Sequence, residues 1–148
     1  MIHNKYFEVL EQFLGNYNIE IYGRELVGKI PISQKSIALV LDKLEKQGIL
    51  KSRKQGNMKY FRLNLANTEI KDIIKNAEII KKIDFFRKNR KIASIFKQDD
   101  RIVGIFGSYA EGAQRKDSDV DIFVVGKKLK NDYKFRGELF DLDISIKY

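Results

Sequence analysis

The stretch Ile102-Val103-Gly104-Ile105-Phe106-Gly107-Ser108-Tyr109-Ala110-Glu111-Gly112-Ala113-Gln114-Arg115-Lys116-Asp117-Ser118-Asp119-Val120-Asp121-Ile122-Phe123-Val124-Val125 decides how this chain folds. An apolar run ends directly in Gly-Ser, and Asp119 and Asp121 then recur at i, i+2 inside a second apolar run. That spacing puts both carboxylates on one face of a strand. Carboxylates are ligands that Mg²⁺ prefers, and it commonly takes one or two of them together with substrate phosphates and water. A strand ending in glycine lets backbone come close to a phosphate, and a helix starting there would aim free N–H groups at it. Asp117 and Ser118 are expected to shape the turn before the pair rather than to bind metal.

Gly107-Ser108, a glycine four residues after the serine, then Ser118-Asp119-Val120-Asp121 and an apolar run together resemble the signature of the DNA polymerase β-like nucleotidyltransferases, most closely the minimal ones. The resemblance covers residues 102–125 well and the rest of the catalytic region poorly. It implies metal-assisted nucleotidyl transfer. On that basis Asp119 and Asp121 bind Mg²⁺ or Mn²⁺ that grips a nucleoside triphosphate, with ATP as the default donor. Gly107, Ser108 and the backbone around them hold its β- and γ-phosphates. A third carboxylate is expected in Phe140-Asp141-Leu142-Asp143-Ile144-Ser145-Ile146; Asp143 is the choice and Asp141 the alternative. Its metal would lower the pKa of an acceptor hydroxyl for in-line attack on the α-phosphorus, with pyrophosphate leaving. Arg115 and Lys116 either neutralise triphosphate charge or are solvated loop residues. The family's longer helical crossover has little room in residues 126–139, so a short strand over 133–139, turning at Arg136-Gly137, is expected to form a hairpin instead.

The 148 residues suffice for one domain or two small ones, and the hydrophobic fraction of 43% for packed cores. There is no cysteine, hence no disulfide framework and no thiolate metal site. No apolar run approaches the ~20 residues of a membrane span, and no signal-like block opens the chain, which is expected to be cytoplasmic. His3, the single histidine, is expected at a frayed surface. The net charge of +9 is uneven: residues 1–66 hold 11 Lys and Arg against 6 Asp and Glu, whereas residues 101–148 hold 9 against 8. Either an anionic partner such as nucleic acid or a merely solubilising Lys-rich surface accounts for that excess.

Helical spacing of Tyr6, Val9, Leu10, Phe13 and Leu14 predicts a first helix over residues 4–14, stopped by Gly15. A second, short helix is expected over 22–29, ended by Pro31. Ser33 caps a third, whose buried stripe is Ile37, Val40, Leu41 and Leu44, with Gly48 at its C-terminal cap. Two apolar-polar segments, 49–53 and 58–63, then predict a hairpin around Gly56-Asn57; the Met58 to Tyr60 run fits a strand better than a base-stacking platform. This order resembles a winged helix-turn-helix domain. By that resemblance Gln34, Lys35 and Ser36 meet the major groove of duplex DNA, while Arg53, Lys54 and Lys59 touch phosphate; a module for dimerisation or protein contact is the other reading. Residues 68–96 are helical in pattern from a Thr68 cap, with a break near 88–91.

The expected fold class is therefore α+β: a winged helix-turn-helix at 1–66, a linking helical segment at 67–97, and a small mixed-sheet nucleotidyltransferase-like α/β domain at 98–148. The expected function is a metal-dependent nucleotidyltransferase moving AMP from ATP to an acceptor hydroxyl. The alternative is a DNA-binding regulator whose nucleotidyltransferase fold senses nucleotide or is inactive. Small nucleotidyltransferases of this type are often paired with helical HEPN-type proteins in toxin–antitoxin systems, so the resemblance admits such a partner. The long apolar stripe admits a homodimer.

Overall fold

A computed structural model describes residues 4–96, 99–129 and 132–148. His3 lies outside the described residues. The chain is a mixed α+β protein that divides into two compact units, Met1–Asp84 and Phe85–Tyr148, each with its own apolar core. Among the described residues no helix is long and apolar enough to cross a membrane.

In the first unit, α1 (Lys5–Leu10) starts where the Asn4 side chain accepts from the Phe7 N–H at 2.9 Å, and it tightens into a 3-10 turn over Glu11–Phe13. The helix expected over 22–29 is absent. In its place stand the two-residue strand β1 (Ile21–Tyr22) and a 3-10 turn, Gly23–Leu26. The cause is tertiary: Ile21 and Tyr22 pair with Phe61 and Tyr60, a long-range ladder that local spacing does not show. Helix α2 (Gln34–Lys46) has the Ser33 cap and buries Ile37, Val40, Leu41 and Leu44 as its periodicity requires. It ends in a left-handed Gly48, with Gly48 N–H donating to Glu45 O at 2.9 Å and Ile49 N–H to Leu44 O at 3.0 Å. Strands β2 (Leu50–Gln55) and β3 (Met58–Leu63) form the hairpin, closed by Gly56-Asn57 with Gly56 at φ +59°. The antiparallel sheet has the order β1-β3-β2.

Helices α3 (Ile70–Lys88) and α4 (Arg90–Ile95) break at Asn89, inside the expected interval. At the start of α3 it is Asn67, not Thr68, whose side chain accepts a backbone N–H, that of Glu69 at 2.9 Å. Ile70 and Ala77 are buried in the first core, whereas Phe85 and Phe86 pack on the second.

The second unit continues with β4 (Ile102–Phe106), α5 (Gly107–Glu111), β5 (Val120–Val125), α6 (Tyr133–Glu138) and β6 (Ile144–Lys147). Its sheet has the order β4-β5-β6, the first pair antiparallel and the second parallel. The expected hairpin over 133–139 is therefore wrong. A parallel pair needs a crossover, and the short helix α6 supplies it, capped by the Asp132 side chain accepting from Tyr133 N–H at 2.8 Å. Gly137 lets that crossover close: a Cβ there would stand 2.6 Å from Leu142 O and 2.7 Å from the Ile144 side chain. Val120, Ile122, Val124 and Ile144 fill the core from one sheet face with Ile92, Ile95 and Tyr133. By alternation the other face carries Ile102, Gly104, Phe106, Asp121, Phe123 and Val125.

Candidate active site

Strand β4 delivers Gly107 to the start of α5 in the left-handed region, φ +66°, and the register sets Phe106 opposite Asp121. A Cβ on residue 107 would overlap the Asp121 carboxylate. Glycine is thus required twice, by the backbone angle and by the approach of the carboxylate. Asp121 lies in β5 and Asp119 just before its first residue, two positions apart, and no side-chain hydrogen bond or ion pair engages either among the described residues. Ser108 is half-buried in the first turn of α5. Arg115 and Lys116 are exposed in the loop before β5, where the Ser118 side chain accepts from the Arg115 N–H at 2.8 Å and closes the turn.

Strand β6 brings up the remaining carboxylates. Val120 pairs with Ile144 and Asp121 with Ser145, and the Val120 N–H donates to Asp143 O at 2.8 Å, so Asp143 stands beside Asp119 at the mouth of the parallel pair. Asp141 sits further out in a left-handed turn, φ +58°. Among the described residues no three His, Cys, Asp or Glu side chains are grouped so as to hold a metal ion by themselves.

Below the site lies a polar network not foreseen from the sequence. Asp99, with a side chain only 4% exposed, accepts from the Arg101 backbone N–H at 2.9 Å, from Arg101 Nε at 3.0 Å and from the Tyr133 hydroxyl at 2.5 Å. Arg101 also donates to Lys127 O at 2.7 Å and lies 3.5 Å from Asp132. The Arg101 guanidinium holds the Asp99 carboxyl well below the usual carboxylate range, while burial, followed by the bond to Asp99, pushes the Tyr133 hydroxyl up. The network ties the entry of β4 to the start of α6. An Asp-x-Arg just before an apolar strand was its only trace in the sequence.

The basic residues expected at nucleic acid are distributed over two faces of the first unit. Gln34 and Lys35 are exposed on the first turn of α2, while the Ser36 hydroxyl accepts from Lys5 at 3.3 Å. Lys54 and Lys59 are register partners on the sheet face toward α2, and Lys59 is held by Glu45 at 2.5 Å. Arg53 projects from the opposite face, bound to Glu20 through Nε at 2.9 Å and NH2 at 2.6 Å. The structure therefore joins Lys54 with Lys59 and separates both from Arg53.

Comparison with known proteins bears on the second unit. Residues 90–147 match the profile of the family described as Polymerase beta, Nucleotidyltransferase. Over that segment the chain is similar to the nucleotidyltransferases of that family. No curated protein sequence matches the chain. A crystal structure of AF1382 from Archaeoglobus fulgidus is similar over 64% of this chain and 90% of that one, at 20% identity and a TM-score of 0.42, too slight a likeness to carry an argument.

Proposed function

We propose that the second unit is a metal-dependent nucleotidyltransferase that moves a nucleoside monophosphate, AMP from ATP, to an acceptor hydroxyl. The observation that supports this reading is the packing of the Asp121 carboxylate against left-handed Gly107. A carboxylate without a protein partner and the first N–H groups of a helix thereby converge on one spot. Two such carboxylates fit Mg²⁺ or Mn²⁺, which completes its shell with substrate phosphate and water. Asp119 and Asp121 would hold the ion; when bound, it supplies positive charge against the triphosphate. Ser108 and the Gly107 backbone position the phosphates, Arg115 and Lys116 add charge from the loop, and Asp143 orients the acceptor hydroxyl as the third carboxylate.

The same proposal gives the chain a winged helix-turn-helix at 1–66, a linking segment at 67–97 and the transferase domain at 98–148, working in the cytoplasm. The order helix, strand, tight turn, helix and hairpin supports the first of these. Lys35 and Lys54, exposed and without partners among the described residues, support duplex DNA as its ligand; a HEPN-type helical protein or a second copy of the chain is the protein partner in this scheme. The alternative is a DNA-binding regulator whose transferase fold senses nucleotide or is inactive.

The test is transfer from α-labelled ATP with Mg²⁺, read as pyrophosphate release, alongside thermal melting. Metal should raise the Tm of the wild type because it relieves repulsion between the carboxylates, and the Asp119→Asn, Asp121→Asn double variant should lose both that gain and the transfer. Nucleotide binding without pyrophosphate release would favour the regulator. A full metal response in the double variant would remove the site assignment.

A further inference from the structure

The outer face of the β1-β3-β2 sheet carries a composition that its fold does not require. Ser52 and Lys59 reach Glu45 of α2, so by alternation Lys51, Arg53, Tyr60 and Arg62 point to the opposite side. One row across that face runs Tyr22, Tyr60, Arg53, and the next sets Arg62 against Lys51. The two tyrosine rings lie 5.8 Å apart at 42°, both half-buried, with the Arg53 guanidinium 4.9 Å from the Tyr60 ring centre. Glu20 is the acidic group here, and it is bound to Arg53. Arg62 and Lys51 are both exposed and directly opposite one another, a like-charge pair that the Glu20 carboxylate, shared with Arg53, offsets only from the Arg62 side.

We propose that this face binds single-stranded nucleic acid, with unpaired bases stacking on Tyr22 and Tyr60 and the phosphodiester backbone following Arg62 and Lys51. Partly exposed aromatic rings beside cations suit a ligand that presents both a π-face and a regular row of negative charge, with a base reaching the ring edges and faces that Arg53 leaves open. A duplex does not, because its bases are already paired and stacked on one another. The surface is separate from the exposed turn of α2 assigned above to duplex DNA, and the inference stands whether or not the second unit transfers nucleotides. It escaped the sequence reading because Tyr22 was expected in a helix; only the pairing of β1 with β3 places it beside Tyr60.

Fluorescence anisotropy with labelled oligothymidylate and oligouridylate of about 12 nucleotides tests the proposal, against a duplex of the same length. Both single strands should bind, the tighter of the two showing whether DNA or RNA is preferred. Tyr22→Leu with Tyr60→Leu, which keeps apolar cover and removes the rings, should weaken binding by roughly tenfold or more, while Tyr60→Phe should not. Arg62→Ala should lower the log–log salt slope by about 0.7. Photocrosslinking of an iodouridine oligonucleotide to the unaltered protein should give adducts at Tyr22 or Tyr60, which covers the case in which the leucine variant does not fold. No single-strand binding at low salt, adducts only elsewhere, or a folded leucine variant that binds as well as wild type would overturn the proposal. So would a loss confined to Arg62→Ala, which describes a surface for any polyanion, or duplex binding alone that falls with Lys54→Ala.

Discussion

Asp141 and Asp143 stand two residues apart, and the backbone treats them differently. Asp141 occupies a left-handed turn after α6, a conformation asparagine also tolerates, whereas the Asp143 carbonyl is fixed to the Val120 N–H at 2.8 Å. Under the proposed function, in which the Asp143 carboxylate acts on the acceptor and so mainly in the transition state, Asp143→Asn is expected to lower nucleotidyl transfer by roughly a hundredfold or more while ATP binding changes little. Asp141→Asn should cost at most a few-fold. Turnover and ATP affinity measured on both variants decide the matter; equal losses would remove the distinction. That Asp119 and Asp121 lie two residues apart at the start of a strand was legible in the sequence because such alternation is a local property; the metal-binding role given to them is a proposal. The sequence favoured Asp143 and kept Asp141 as the alternative, because both fit the same alternation; β6 starts directly after Asp143 and pairs in parallel with β5, which bears on that choice without deciding the role of either.

At the scale of elements, α2 was readable to the residue: cap, buried stripe and terminal glycine all lie within one contiguous segment. The β2-β3 hairpin was readable for the same reason. Strand β1 and helix α6 were not, since each is decided by a partner distant in sequence, β3 for one and the parallel β5-β6 pair for the other. The Asp99 network belongs with α6. Its carboxyl is held below the ordinary range in the folded state, so its contribution to stability is full above the unfolded pKa, about 4, and is lost as pH falls through the lower folded value. Urea midpoints between pH 7 and pH 2 should therefore decline more steeply for the wild type than for Asp99→Asn. At pH 7 that substitution should cost roughly 3 kcal/mol or less, because it removes the shorter of the two carboxylate contacts of a mostly buried Arg101 and leaves it Asp132 at 3.5 Å. Parallel curves for the two proteins would show that the network adds nothing to acid stability.

For the molecule as a whole, two cores in one chain of 148 residues leave each sheet with three strands. A three-stranded sheet has two borders for one interior strand. In the second unit β4 is a border, and no other strand pairs with its outer side among the described residues. Its sequence, Ile102-Val103-Gly104-Ile105-Phe106, is apolar throughout, and Ile102 is 68% exposed next to its partner Val125 at 59%. A strand of this kind offers unsatisfied N–H and C=O groups as a template to any other extended chain, and it carries no charge to deter one. Ile102→Lys should raise the protein concentration at which light scattering begins on storage while shifting the Tm by no more than a few degrees. Unchanged scattering would place the weak point elsewhere. The tolerance of this protein for crowded solutions is thus expected to be set at a strand border rather than at either core, where a single lysine would stand in the way of a second chain.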